Sequence, residues 1–184
     1  MKKIIEFLGR PFFVFITWFL LVGISWIILE ACQLTTNIFL LAALIFILYF
    51  GSMAFGFFYF QAFPLHRLPL CYYQKKGFET ELFYILLGVK LFRRFLIKSP
   101  FRRLNQRVYL KGRKAYISEF FEETKRSETS HLIGLTIGLL FILYFITQDN
   151  FKQGVLAFFF NTVMNAYPIF LQRYNRNLRI KIRD

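Results

Sequence analysis

Acidic residues are scarce in this 184-residue sequence: ten Asp and Glu stand against 24 Lys and Arg, a net charge of +14. Cysteine is scarcer. Cys32 and Cys71 are the only two, which excludes a disulfide framework or a multi-cysteine metal site. One closes the first apolar run and the other follows the second, so two unpaired thiols on opposite sides of a membrane are expected. Histidine occurs only as His66 and His131. No Walker A, G-x-G-x-x-G, C-x-x-C, H-E-x-x-H or G-x-S-x-G motif occurs, which argues against an ordinary nucleotide, zinc or serine-hydrolase site. No metal and no resident cofactor are expected. No internal repeat and no Gly/Ser linker divides the chain, so one domain over residues 1–184 is expected.

Apolarity and basicity are what the chain has in excess. Hydrophobic residues make up 57%, with 27 Phe, against about 45–50% in soluble domains. The two excesses coexist when apolar segments sit in lipid and basic segments meet anionic headgroups. Because the charge lies beside the apolar runs, membrane lipids rather than nucleic acid are the expected partner.

Four spans are expected. Pro11–Leu29 is uncharged, and at about 1.5 Å per residue it crosses a core of about 30 Å; its length, and the lack of an A-x-A site after it, mark a retained span rather than a signal peptide. Asn37–Phe60 is a second uncharged run, joined by a hinge without Lys or Arg. The third span is placed at 128–147, which brings Glu128 and His131 to an interface, and the fourth at 154–171, interrupted by Asn161, Asn165 and Pro168. Fifteen basic residues lie between Pro64 and Ser130, and the tail adds Arg173, Arg176, Arg179, Lys181 and Arg183, whereas the opposite turns hold only Lys152. The bias puts both termini and the basic segment 64–130 in the cytosol. The expected fold class is all-α: an integral membrane bundle of four helices with cytosolic amphipathic interfacial helices.

The inner segment is patterned. Phe78–Ile97 reads as one interfacial or partly re-entrant helix. In Phe101–Tyr116, Arg103, Arg107, Lys111 and Lys114 share a face, either as an anchor on anionic lipid or as a phosphate clamp. Ile117–His131 reads as an amphipathic helix running straight into the third span. His66, between Pro64 and Pro69, reads as a solvated loop residue.

Polar groups in spans are costly and usually face inward. Thr124, Glu128 and His131 are one turn apart, so Glu128 can reach the imidazole. A carboxylate on a histidine raises its basicity, as a general base requires; a helix-end cap with ordinary i,i+3 pairing explains the spacing equally well. Asn161, Asn165, Pro168 and Gln172 share another face, as helix-bundle glue or as a cavity lining. Gln172, Arg173, Tyr174, Asn175, Arg176 and Asn177 end the fourth span; a basic flank accounts for the arginines but not for the interleaved amides and tyrosine.

The runs ETKRSETSH (Glu123–His131) and QRYNR (Gln172–Arg176), joined by two apolar spans, resemble the glycosyl-4,4'-diaponeurosporenoate acyltransferase family, associated with the last step of staphyloxanthin biosynthesis. KKGFETELFYILLGVKLFRRFL, before the basic helix, is similar to another of its segments, and the likeness runs from about Gln74. It maps the family pattern onto Glu123, Thr124, Lys125, Arg126, Glu128 and His131, and onto Asn165, Pro168, Gln172, Arg173, Tyr174, Asn175 and Arg176. The H-x-x-x-x-D pattern of another large acyltransferase class is absent. The resemblance implies transfer of a fatty acyl group to a hydroxyl of a glycosylated lipid, such as a carotenoid glycoside, at the inner face of a bacterial cytoplasmic membrane. The donor would be a cosubstrate such as acyl-coenzyme A or an acyl carrier protein, and the acceptor a glycolipid. On this reading His131 is the base, Glu128 or alternatively Glu123 orients it, and Arg173 with Gln172 and Asn175 stabilises the oxyanion. Arg103 and Arg107 would receive a phosphorylated donor. The competing expectation is a non-enzymatic lipid-binding or scaffold protein, in which the polar cluster only packs helices.

Overall fold

The structure, a computed structural model, describes residues 16, 19–20, 22–62, 68–99 and 117–183. The basic stretch with Arg103 and Arg107, the N-terminal Lys2, Lys3 and Arg10, and His66 lie outside the described residues. Every regular element among those described is helical: α1 (Val22–Leu34), α2 (Ile38–Ala62), α3 (Leu70–Tyr73), α4 (Glu81–Leu86), α5 (Val89–Lys98), α6 (Ile117–Thr147), α7 (Phe151–Asn161), a π turn (Thr162–Ala166) and α8 (Tyr167–Arg183). They fall into two compact units, one of Met1–His66 with Ser130–Ala166 and one of Arg67–Thr129 with Tyr167–Asp184.

In the first unit α1 and α2 are separated by the three residues 35–37. Asn37 starts α2, its Oδ1 accepting from the N–H groups of Phe39 at 3.0 Å and Leu40 at 3.2 Å, as an N-cap does. The core is Leu29, Cys32, Leu41, Ile45, Leu48, Tyr49, Phe145 and Ala157. Polarity is reversed relative to a soluble bundle: Leu139, Leu140, Leu143, Val155, Phe158 and Phe159 are exposed while Asn161 and Asn165 are buried. Close approach of α6 and α7 requires Gly134 and Gly138. A Cβ at Gly134 would stand 2.5 Å from Asn165 Oδ1, and one at Gly138 would collide with Asn161 and the Tyr49 ring.

Two helical stretches, Phe120–Thr147 and Phe151–Leu178, are long and apolar enough to cross a membrane; the apolar stretches Val22–Leu34 and Ile38–Ser52 are shorter. Residues Ile117–His131 do run without a break into the third apolar run. Beyond Leu171 the helix does not stop: α8 continues to Arg183, so the polar run from Gln172 is helical. Pro168 is the second residue of α8, where its missing N–H is tolerated, and the irregularity expected near it is the π turn just before.

The second unit packs α4, α5 and α8 around Tyr84, Val89, Leu171 and Tyr174. The single helix expected over Phe78–Ile97 is two. Thr80 caps α4, its Oγ1 accepting from Phe83 N at 3.2 Å, and the chain turns at Gly88, whose φ of 69° lies in the left-handed region that side chains with a Cβ resist. Hydrophobic patterning continues across this break, so periodicity alone hides it.

Candidate functional site

In the second unit, α8 carries six consecutive polar or charged residues, and helical spacing places Gln172, Asn175 and Arg176 on one face. Arg173 is held on three sides. Its Nε donates to Glu128 Oε1 at 2.7 Å, its Nη1 to Glu79 Oε1, and its Nη2 to the Tyr72 carbonyl at 2.8 Å. The Tyr72 ring centre lies 4.8 Å from the guanidinium carbon, a cation–π contact. Arg176 Nη2 donates to the other Glu128 oxygen, and its guanidinium carbon is 5.6 Å from the Tyr73 ring centre. Glu128 is 0%, Glu79 4%, Arg176 4% and Arg173 9% exposed. Charges this deep persist only when paired and hydrogen-bonded, and these two carboxylates match these two guanidiniums.

An outer layer fixes the cluster. Asn177 Nδ2 donates to Glu79 Oε2 at 3.3 Å and to the Tyr84 hydroxyl at 3.1 Å. Burial, and then the Glu79 carboxylate beside it, push the Tyr84 phenol above the ordinary tyrosine range. Burial, and then Glu128, push the Tyr72 phenol the same way. Gln172 Nε2 donates to Ser127 Oγ at 3.1 Å. Thr129 Oγ1 donates to the Lys125 carbonyl at 2.9 Å, so the 2.5 Å contact between Tyr73 and Thr129 has the Tyr73 hydroxyl as donor. On α8, three buried atoms have no hydrogen-bond partner among the described residues: Gln172 Oε1, Asn175 Nδ2 and Arg176 Nη1.

Other expected site residues have more local surroundings. Thr124 is fully buried and donates to the Phe121 carbonyl at 2.8 Å. Lys125 pairs with Glu122 at 3.0 Å and lies 5.8 Å from the Tyr73 ring centre. Glu123 faces Arg126 at 3.6 Å in a largely solvated i,i+3 pair. Tyr174 packs its ring edge-on to Tyr84, at 5.3 Å between centres.

His131 belongs to the first unit, where its half-buried imidazole is turned towards the Asn165 side chain and the Met164 backbone, and its Nδ1 makes no hydrogen bond among the described residues. Pro168 has no N–H to offer the Met164 carbonyl four residues before it. Asn165 Nδ2 donates to Asn161 Oδ1 at 2.9 Å, and Asn161 Nδ2 to the Leu135 carbonyl at 3.1 Å. The π turn carries Asn165 in this chain, and π turns within α-helices are frequent at functional sites. Glu128 as the residue that orients His131 is therefore corrected. Both its oxygens are taken by guanidiniums, because a buried carboxylate gains far more from cations than from a neutral ring. Glu123, the alternative, faces Arg126 at 3.6 Å.

Glu79, Tyr72, Tyr73, Ser127 and Asn177 are absent from the expected site.

No curated protein and no solved structure matches the chain significantly. A family model described as glycosyl-4,4'-diaponeurosporenoate acyltransferase matches residues 69–182. That stretch contains Glu79, Glu128, Arg173 and Arg176, and it is more than half of the chain; the chain belongs to the glycosyl-4,4'-diaponeurosporenoate acyltransferase family.

Proposed function

We propose that this protein is a membrane-embedded O-acyltransferase that moves a fatty acyl group onto a hydroxyl of a glycosylated lipid, such as a carotenoid glycoside, at the cytosolic face of a bacterial membrane. The observation that carries the reading is the family match, which spans every member of the buried Glu79–Arg173–Glu128–Arg176 cluster. The leucines and phenylalanines on the outside of α6 and α7, with amides inside, support embedding in lipid. Four spans near 11–29, 37–60, 128–147 and 154–171 follow from the apolar runs, and both termini cytosolic from the Lys and Arg distribution.

In this reading His131 accepts the proton of the acceptor hydroxyl. The oxygen attacks the carbonyl of the acyl donor, acyl-coenzyme A or an acyl carrier protein, and a tetrahedral oxyanion forms. Its collapse breaks the bond to the donor's leaving group, which departs with the proton from His131, and the acyl group remains as an ester. Arg103 and Arg107 bind the donor's phosphate. Arg173 holds the cluster together, since its Nε and both terminal nitrogens are already engaged.

Purified full-length protein incubated with labelled acyl donors and a glycolipid extract should produce a new labelled ester. The His131→Ala variant should stay folded and lose this product. Lipid binding without any ester would support a scaffold instead, and normal turnover by the variant would reject the base assignment.

A further inference from the structure

The three unpartnered atoms on α8 form a pattern that the ion pairs leave over. Gln172 is 2%, Arg176 4% and Asn175 8% exposed, so water does not readily serve them, and an unsatisfied buried polar group is costly enough to call for an explanation. Two are donors, Arg176 Nη1 and Asn175 Nδ2, and one is an acceptor, Gln172 Oε1. Two of the side chains are tied at their other end. Arg176 is tied through Nη2 to Glu128, and Gln172 through Nε2 to Ser127 at 3.1 Å. Their free atoms are therefore held in place before any ligand arrives, as electrostatic catalysis requires.

Charge balance narrows what would fit. Glu79 and Glu128 already neutralise Arg173 and Arg176, and Lys125 is paired with Glu122. A phosphate would bring a permanent negative charge into a buried cluster whose two guanidiniums are already matched by two carboxylates, at a large desolvation penalty, whereas an oxyanion carries a single charge and only transiently. An uncharged carbonyl oxygen brings none, and its two lone pairs can accept from two donors at once.

We infer that Arg176 Nη1 and Asn175 Nδ2 form a subsite for the uncharged carbonyl oxygen of an acyl group, with Gln172 Oε1 left to accept from a hydroxyl beside it. This rests on the acyl-transfer reading above and supplies the oxyanion contact it leaves open: Arg176 and Asn175, in place of the Arg173 that the sequence suggested, contact the oxygen that becomes negative. Glu79 is then a positioning residue, which holds Arg173 so that Glu128 stays oriented towards Arg176. The donor's phosphate is bound elsewhere.

The probe is a long-chain methyl ketone labelled with carbon-13 at the carbonyl, an unreactive neutral mimic of an acyl ester, added to full-length protein in lipid nanodiscs. Isotope-edited infrared spectroscopy reads the carbonyl stretch. Binding to the unaltered protein should move it to lower frequency, as hydrogen bonding to a guanidinium does. Asn175→Ala and Arg176→Lys should each weaken binding roughly tenfold or more, the value of a hydrogen bond involving a charged or buried partner, and reduce the shift. Inorganic phosphate should not displace the ketone. Asn175→Ala breaks no ion pair, so it decides the matter if Arg176→Lys does not fold. An absent shift, an unchanged shift and affinity in Asn175→Ala, or displacement by phosphate would overturn the subsite. Because the ketone undergoes no transfer, a shift without ester formation from any donor sinks the acyl-transfer reading alone, and turnover without a shift sinks the subsite alone.

Discussion

Glu128→Gln removes one charge while keeping the shape of the side chain. Glu128 is fully buried and bridges Arg173 and Arg176. Once it is neutral, Arg173 still has Glu79, but Arg176 has no carboxylate among the described residues. Removing one partner of a buried pair typically costs about 3–5 kcal/mol. Glutamine retains one acceptor oxygen and Arg173 retains a partner, so the lower end, about 3 kcal/mol, is expected. Denaturation in mixed micelles, followed by far-ultraviolet circular dichroism, measures it. Adding Arg176→Gln removes the stranded cation, so the double variant should be more stable than the sum of the single losses predicts, by roughly 1–3 kcal/mol of coupling. A Glu128→Gln protein within about 0.5 kcal/mol of the unaltered one, the range of ordinary surface substitutions, would refute the cluster as a buried ionic network. So would strictly additive losses.

Gly138→Ala should lower stability by about 1–3 kcal/mol, the usual range for overpacking, because the new Cβ meets two buried groups, Asn161 and the Tyr49 ring, and neither is a flexible chain end. Gly23→Ala, with nothing within 4 Å of the added atom, is the control and should be neutral or slightly stabilising in the same denaturation experiment. The Tyr84 phenol is raised in the folded protein, so its contribution to stability is fully present below the ordinary tyrosine value of about 10 and is lost as pH rises towards the higher folded value. Stability measured across that alkaline window should therefore fall more steeply for the unaltered protein than for Tyr84→Phe, and equal slopes would contradict the shift.

What was legible in the sequence was what depends on neighbours along the chain. Apolar runs and their flanking Lys and Arg marked the long apolar helices, because burying backbone in lipid demands local, self-satisfied hydrogen bonds. The absence of Gly or Pro between Ile117 and Gly134 announced α6. The two motif runs pointed to the family, because residues three and four apart meet on a helix face whatever else the chain does. The break at Gly88 was harder to see, since a left-handed turn depends on backbone strain rather than on polarity. Asn165 lies fully buried on a π turn, which no spacing rule anticipates.

The choice of partners belonged to tertiary structure. Glu128 stands three residues from His131, which local spacing favours, yet it binds arginines 45 and 48 residues away. Glu79 reaches Arg173 across 94 residues. Such pairings follow from which charges are driven out of water together: a buried carboxylate must find a cation, and only packing decides which cation is within reach. The sequence by itself determined the helices, the charge bias and the family. The fold decided that Glu79 and Glu128 are spent on Arg173 and Arg176, and that the donors left over on α8 lie on Asn175 and Arg176, because desolvation acts on the assembled core and not on the chain.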